Sequence, residues 1–297
     1  MKNRLTNFGF WLAWTILWRL PESFTRKLFN LVAYVLWRMD TRGARQLSLN
    51  LQRVSGDELS VEDLRKLTLL GLRSYMRYYC ETFIVTRWSR EKIDRTIEVE
   101  NVEVVHAALQ GGGIILALPH SGNWDLAGAW ATKALGQIST VAERLRPESV
   151  FQKFLKMRTD LGIDVVALTG STGVYEFLRD AVNKGNVVPI LSDRDVAKNG
   201  MSNEFFGHNA PLPIGAAMLA VDTGRPVVVC STWYEKDKLK IRFDDPIYAK
   251  DDGQIGRERI RLAQQLTGQI AQLLEMHIKA HPQDWHVLQP VWKDLVA

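Results

Sequence analysis

The stretch that decides the fold is GGGIILALPHSGNWD, residues 111–125. Its apolar run, residues 114–118, contains no polar side chain, as expected of a strand buried on both faces of a sheet. Three glycines precede this run, and His120 follows it within two residues. A strand of this kind predicts a parallel α/β sheet, in which ligands bind beyond the carboxyl ends of the strands.

The same pattern continues along the rest of the chain. Further strands are predicted from short, largely apolar runs at residues 139–142, 164–168, 187–191 and 226–232. A β-branched segment at residues 96–100 predicts another strand, and residues 238–243 add one more. Helices are predicted near residues 124–135, 148–161, 173–184, 213–223 and 257–280. Because strands alternate with helices, we predict an α/β fold with a mainly parallel central sheet flanked by helices on both faces.

The N-terminal part of the chain has helical periodicity up to about Trp88, and Ser60 with Asp63 predicts the start of one helix. We therefore predict a helical lobe over residues 1–90 and an α/β core over residues 91–297, together forming one domain.

Four of the ten tryptophans, Trp11, Trp14, Trp18 and Trp37, lie in this lobe. The uncharged runs at residues 7–18 and 28–37 are shorter than the ~20 apolar residues of a membrane-spanning helix. Tryptophans flanked by cations favour two amphipathic helices lying in the membrane interface over two helices packed in the core.

Charge and cysteine content narrow the class of protein. The net charge of +5 and the pI near 9.2 suit an anionic partner, either a lipid surface or a nucleic acid. Because the chain lacks helix-turn-helix, RNA-binding and zinc-finger signatures, we expect no nucleic acid. Cys80 and Cys230 give neither a disulfide framework nor a zinc pattern, and the histidines lack metal-ligand spacing, so we expect a reducing compartment and no metal.

Four consecutive predicted strands end at one edge of the sheet, and the candidates for the chemistry follow three of them. His120 and Asp125 follow the strand at 114–118, Glu143 follows the next strand, and Asp193 and Arg194 follow residues 187–191. Since the carboxyl ends of parallel strands meet at one edge of a sheet, we expect these side chains to converge there.

His120 is the candidate general base. A helix that begins near Asn123 places Asp125 in its first turn, where the helix dipole favours a carboxylate that faces the imidazole. A carboxylate on one ring nitrogen leaves the other nitrogen as a base for a hydroxyl group. Glu143 is a second candidate for the same contact, and the residues alone do not distinguish it from Asp125.

Further residues are candidates for binding substrate. The backbone amides of Gly122 and Asn123 are candidate donors to a developing oxyanion. Arg158 is either an exposed helix charge or a guanidinium that binds phosphate. Asp193 and Arg194 form either a salt-linked turn or a substrate contact.

Taken together, these motifs resemble those of a known family. The block LPHSGNWDLAG at residues 118–128, followed by Glu143 and Arg158, resembles the lipid A branch of the bacterial lysophospholipid acyltransferases. Residues 193–195 with 205–207, and the DWHVLQ segment at residues 284–289, are similar to those of actinobacterial phosphatidylinositol mannoside acyltransferases. In contrast to glycerophosphate acyltransferases, Pro119 precedes the histidine and no Glu-Gly dipeptide occurs.

The resemblance implies a peripheral enzyme on the cytoplasmic face of the inner membrane, bound to its anionic leaflet. It implies transfer of a palmitoyl-like chain from acyl-CoA, which is a substrate and not a cofactor, to a mannose hydroxyl of a phosphatidylinositol mannoside. His120 would be the base, and Asp125, Glu143 and Arg158 would complete the site.

Three alternatives remain open from the sequence. Within the same family, the acceptor is instead a lipid A precursor. In a different class, the chain is a non-catalytic basic protein that binds lipid. A third reading is a thioesterase in which His120 activates water.

Overall fold

The structure is a computed structural model that describes residues 19–56, 59–249 and 256–297. The helices in these residues are α1 (Glu22–Arg38), α2 (Arg42–Ser55), α3 (Val61–Ile84), α4 (Arg90–Thr96), α5 (Val102–Gln110), α6 (Trp124–Ala134), α7 (Glu148–Asp160), α8 (Val174–Asn183), α9 (Gly215–Thr223) and α10 (Arg257–Ala280). The strands are β1 (Ile97–Glu100), β2 (Ile114–Leu118), β3 (Ile138–Ala142), β4 (Ile163–Ala167), β5 (Val187–Leu191), β6 (Met201–Phe205), β7 (His208–Leu212), β8 (Val227–Glu235) and β9 (Lys238–Phe243).

Seven strands form the central sheet in the order β1-β9-β8-β2-β5-β3-β4, and β6 and β7 form a separate antiparallel hairpin. Within the central sheet only β8 and β9 run antiparallel, so the predicted mainly parallel sheet is confirmed. The sequence did not predict the β6–β7 hairpin or helix α5.

The central strand β2 separates two hydrophobic cores. All five of its side chains are buried, and they alternate between the two faces of the sheet. Ile115 and Ala117 belong to the core that also contains apolar residues of α2, α3, α8, α9 and α10. Leu116 and Leu118 belong to the core that contains residues of α5, α6 and α7. Helices therefore cover both faces of the sheet, as predicted.

Helix α1 has an exposed apolar stripe. Phe24, Leu28, Leu31 and Val35, spaced by four, three and four residues, are exposed, whereas Ala33 is buried on the opposite side. The spacing places the four exposed side chains on one face of the helix. Of the described helices, none has the length and the apolar character that a membrane crossing requires.

The tryptophan prediction is only partly tested. The helix predicted over residues 7–18, with its three tryptophans, lies outside the described residues. Trp37 is partly buried, and its indole N–H donates a hydrogen bond of 3.1 Å to the carbonyl of Arg65 in α3. This contact fixes the Trp37 ring against α3 and leaves it partly exposed, so the placement of the ring at headgroup depth stays a prediction. The predicted start of α3 is confirmed, since the Ser60 hydroxyl accepts the amide of Asp63 at 3.1 Å.

Both cysteines are buried and unpaired, Cys80 in α3 and Cys230 in β8. Burial raises the pKa of Cys80 to about 12 and also raises the pKa of Cys230. Neither thiol is a nucleophile in this environment, because the reactive species is the thiolate.

Candidate active site

His120 lies beyond the carboxyl end of β2 and is paired with Asp193, which lies beyond the end of β5. The imidazole Nδ1 is 2.6 Å from Oδ1 of Asp193, and the backbone amide of His120 donates to Oδ2 of the same carboxylate at 2.9 Å. The indole N–H of Trp285 donates to Oδ2 at 2.6 Å. A fully buried carboxylate thus holds His120 through both its side chain and its backbone.

These contacts keep Asp193 ionised. Burial by itself raises the pKa of the Asp193 carboxyl, but the charge and hydrogen bonds of His120, with the indole N–H of Trp285, bring it below its usual range. An ionised Asp193 accepts the Nδ1 proton of His120, which leaves Nε2 with a lone pair. Among the described residues Nε2 has no hydrogen-bond partner, so it is available as a base.

The prediction that Asp125 or Glu143 contacts the imidazole is therefore wrong. Asp125 does lie in the first turn of α6, as predicted, but Arg158 binds it with Nε 2.7 Å from Oδ1 and Nη2 3.2 Å from Oδ2. The Tyr78 hydroxyl donates to the same carboxylate at 2.8 Å. Asp125 is thus held away from the imidazole by its own partners, and Glu143 is displaced by the strand order, because β5 and not β3 lies directly beside β2.

The prediction that Arg158 is a phosphate ligand also needs correction. Its side chain is only 14% exposed and is occupied by the buried carboxylate of Asp125. Because a buried carboxylate without a partner is costly, the first role of Arg158 is to neutralise Asp125.

Glu143 and Arg194 form an ion pair with 2.5 Å between Oε2 and Nη2. Glu143 is 44% exposed, whereas Arg194 is 13% exposed and its Nε has no hydrogen-bond partner among the described residues. Arg194 therefore keeps one N–H donor for a ligand, and its prediction as a substrate contact stays open. Asp193, predicted as a substrate contact, instead binds His120.

The side chain of Asn123 is structural. Its Oδ1 accepts the amide of Leu126 at 2.9 Å and caps α6, and its Nδ2 donates to Oε2 of buried Glu81 at 3.0 Å. The Tyr234 hydroxyl donates to the same Glu81 oxygen at 2.7 Å, and Arg26 of α1 binds the other oxygen at 3.0 Å. A buried carboxylate thus links α1, α3 and the turn that follows His120.

Position 122 requires glycine because the backbone there lies very close to Thr232 of β8. It has φ of +55°, and a Cβ there would lie 2.7 Å from Oγ1 and 2.8 Å from the backbone of Thr232. Its amide donates to the carbonyl of Asp284 at 3.0 Å, and its carbonyl accepts Nε2–H of His286 at 3.1 Å. The Gly122 amide is therefore already used and is not a free donor for an oxyanion.

The segment Asp284-Trp285-His286 braces the turn that follows His120, and the sequence did not predict these contacts. Its residues bond to Gly122 and to Asp193, and the amide of His286 donates to the carbonyl of His120 at 3.2 Å. Burial lowers the pKa of His286 to about 4, so this imidazole is neutral. The only signal in the sequence was the resemblance of residues 284–289 to a family segment.

A cavity of about 730 Å³ opens beside His120. Its wall is mostly apolar and includes Leu116, Gly128, Ala131, Phe154 and Ile163. A cavity of this size suits a small ligand or an aliphatic chain. Among the described residues no group of three or more His, Cys, Asp or Glu side chains is placed to bind a metal ion. A base beside an apolar cavity has the chemistry for removing a proton from a hydroxyl group.

The sequence of the chain is similar to those of known acyltransferases. Residues 3–294 match the family model described as bacterial lipid A biosynthesis acyltransferase. The chain is 32% identical over 295 residues to the phosphatidylinositol mannoside acyltransferase of Mycolicibacterium smegmatis, covering 98% of this chain and 93% of that protein. It is 35% identical over 292 residues to the protein of the same name from Mycobacterium tuberculosis (strain CDC 1551 / Oshkosh), covering 97% and 88%.

Among solved structures, the chain is similar to the 1-acyl-sn-glycerophosphate acyltransferase of Thermotoga maritima. The match has 14% identity and a TM-score of 0.40, and it covers 86% of this chain and 98% of that one.

Proposed function

The chain belongs to the bacterial lipid A biosynthesis acyltransferase family, and we propose that it transfers a palmitoyl-like acyl group from acyl-CoA to a mannose hydroxyl of a phosphatidylinositol mannoside. The observation that carries this proposal is the contact of 2.6 Å between His120 and Asp193 at the mouth of a largely apolar cavity. The names of the two mycobacterial relatives support the acceptor.

In the proposed reaction, Nε2 of His120 takes the proton of the acceptor hydroxyl as its oxygen attacks the thioester carbonyl. Asp193 stabilises the imidazolium that forms, because its ionised carboxylate stays bonded to Nδ1. The tetrahedral intermediate then collapses with cleavage of the C–S bond. The departing thiolate takes the proton from Nε2, which gives an ester and free CoA and returns His120 to its neutral form.

The apolar cavity supports a long aliphatic chain as the transferred group. Leu116, Phe154 and Ile163 provide a wall without hydrogen-bonding groups, next to the base. Each methylene moved from water into such a wall contributes about 0.8 kcal/mol. A long chain is therefore bound more tightly than a short one.

The decisive experiment is acyl transfer from palmitoyl-CoA to a phosphatidylinositol mannoside, followed by mass spectrometry of the lipids. We expect wild type to add one acyl chain, His120→Ala to add none, and His106→Ala to behave as wild type, because His106 is exposed on α5 away from the site. Equal transfer by wild type and His120→Ala would refute the mechanism. Transfer only to a lipid A precursor would replace the acceptor, and release of free palmitate at one rate with or without acceptor would indicate a thioesterase.

We also propose that α1 lies in the interface of the inner membrane on its cytoplasmic side. The exposed stripe of Phe24, Leu28, Leu31 and Val35 supports this placement, and exposed Lys27 adds a cation that favours anionic lipid. In a flotation assay with vesicles rich in anionic lipid, Leu31→Glu should float less than wild type. Val61→Glu places the same charge on an exposed apolar position outside α1 and should float as wild type does. Equal flotation of both variants would argue against the placement.

A further inference from the structure

The cavity beside His120 is lined from both faces of the central sheet. On one side its wall is formed by residues of α6 and α7, among them Ala131 and Phe154, and we call this part the α6–α7 arm. On the other side the wall is formed by residues of α8 and α9, among them Leu178 and Met218, and we call this part the α8–α9 arm. Phe154 belongs to one hydrophobic core, whereas Leu178 and Met218 belong to or pack on the other.

The cavity reaches both faces because the sheet is open between β3 and β5. The ladder between these strands consists of one pair, Ile138 with Val187, although each strand has five residues. Pro189 explains the split. The Thr140 hydroxyl donates to the Pro189 carbonyl at 2.6 Å, so this carbonyl points toward β3. The N–H and C=O of one strand residue point to the same side, and proline has no N–H, so the ladder cannot continue there.

The α8–α9 arm has an apolar wall, and the charged side chain of Arg259 is paired with a carboxylate. Leu178, Ile214 and Met218 line it. Arg259 also lines the cavity, but it is paired with Asp222, which in addition accepts the Tyr175 hydroxyl. An arm of this kind matches an aliphatic chain, whereas a phosphate needs an unpaired cation.

We propose that the α8–α9 arm binds an acyl chain of the lipid acceptor while the α6–α7 arm holds the chain that is transferred. The proposal rests on the proposed function and adds a second lipid-chain site to it. A thioester donor has only one acyl chain, and the rest of its carrier contains amides that need hydrogen-bond partners. A glycolipid acceptor carries further aliphatic chains, and its hydroxyl must reach His120, which lines the same cavity. Both chains are then bound at once, on opposite faces of the sheet.

The test separates the two arms by blocking each of them. Met218→Trp narrows the α8–α9 arm, and Ala131→Phe narrows the α6–α7 arm. With palmitoyl-CoA as donor, Met218→Trp should raise KM for a diacylated phosphatidylinositol mannoside by about tenfold, the effect of losing roughly two buried methylene groups. It should leave KM unchanged for the deacylated, water-soluble form of the same headgroup. Ala131→Phe should instead shift the preference among donors toward shorter chains and affect both acceptors alike.

Several outcomes would overturn the proposal. These are an equal rise of both KM values in Met218→Trp, a change in donor chain preference in that variant, or a wild type that does not distinguish the two acceptors. If Met218→Trp does not fold, as judged by circular dichroism, Leu178→Phe narrows the same arm with a smaller change in volume.

A binding measurement keeps the proposal separate from the proposed function. Retention of the radiolabelled diacylated glycolipid by the transfer-inactive His120→Ala variant should persist at saturating palmitoyl-CoA and fall about tenfold when Met218→Trp is added to it. Displacement of the glycolipid by palmitoyl-CoA would refute the two-arm arrangement. If wild type transfers no acyl group to either acceptor, the proposed function fails, whereas the retention measurement still decides whether the arm binds an aliphatic chain.

Discussion

The imidazole Nδ1 of His120 lies 2.6 Å from Oδ1 of Asp193, although 73 positions separate the two residues in the chain. The contact forms because β2 and β5 are hydrogen-bonded neighbours in full register, from Ile114 with Val187 to Leu118 with Leu191. Each strand therefore delivers the residue two positions beyond its end to the same point on the sheet edge. The pairing of His120 with Asp193 therefore depends on two adjacent strands and not on one local motif.

Asp193→Asn should lower kcat by about 10²–10⁴ and change KM little, because the neutral amide cannot stabilise the imidazolium. Glu143→Gln should have a smaller effect on kcat, since Glu143 contacts Arg194 and not the imidazole. Steady-state kinetics with the glycolipid acceptor checks both variants. A loss of kcat that is larger in Glu143→Gln than in Asp193→Asn would show that Glu143 is the orienting carboxylate.

Arg158→Met should reduce the free energy of unfolding by about 3–5 kcal/mol, because the Asp125 carboxylate would stay buried without its cation. The double variant with Asp125→Asn should lose less than the sum of the two single losses. Urea unfolding followed by circular dichroism measures all three. Arg144→Met breaks an exposed pair with Glu148 and should leave the unfolding midpoint unchanged. Additive losses would contradict the pairing.

Gly122→Ala should abolish activity, since the new Cβ would lie 2.8 Å from the backbone of Thr232 and push the turn after His120 away from β8. Gly173→Ala is the matched control: Gly173 has φ of +69°, but a Cβ there would meet no atom within 4 Å. Both variants strain a left-handed backbone by about 1–2 kcal/mol, and only the first displaces the turn after His120. Thermal unfolding and acyl transfer, measured on both, separate strain from displacement. Equal activity in the two variants would contradict this account.

His286 should make the protein less stable in acid. Its pKa of about 4 in the folded chain lies below the ordinary 6.5, so the unfolded chain takes up a proton first as the pH falls. The stabilisation is complete above pH 6.5 and is lost as the pH falls toward 4. At pH 5 the loss relative to neutral pH is about 2 kcal/mol.

His286→Gln tests this dependence, because the amide can still donate to the carbonyl of Gly122 but does not titrate. Denaturant unfolding between pH 7 and pH 5 should show a shallower decline in the variant than in wild type. Identical slopes would mean that another group carries the acid sensitivity.

The fold was largely readable from the sequence because buried parallel strands are continuous apolar runs. The predicted bounds of the apolar runs at residues 114–118 and 187–191 match the observed strands. The bounds of residues 238–243, where charged and apolar residues alternate, and of the helix at residues 257–280 match as well. The β6–β7 hairpin was missed because its strands contain several polar or exposed residues and a proline, as in His208–Leu212. Such strands lack the apolar run on which the prediction depended.

The sequence predicted which residues follow each strand, but not which of them contacts His120. Each strand end was assigned its residues correctly, yet the spatial order of the strands is not written in their sequence order. Strand β5 lies between β2 and β3, so Asp193 takes the position that Glu143 would hold if consecutive strands were neighbours. The bond from Trp285 to Asp193 spans 92 positions and begins outside any regular strand, so no local pattern predicts it.

The burial of both native thiols has a practical consequence for spectroscopy. Cys80 and Cys230 lie in the interior with raised pKa values, so a maleimide dye at neutral pH reacts with neither in the folded protein. A single cysteine introduced at exposed Leu31 of α1 is then the one labelled position, without removal of any native residue. In the presence of vesicles, the emission wavelength of the dye would report whether that helix enters the lipid headgroups, as proposed.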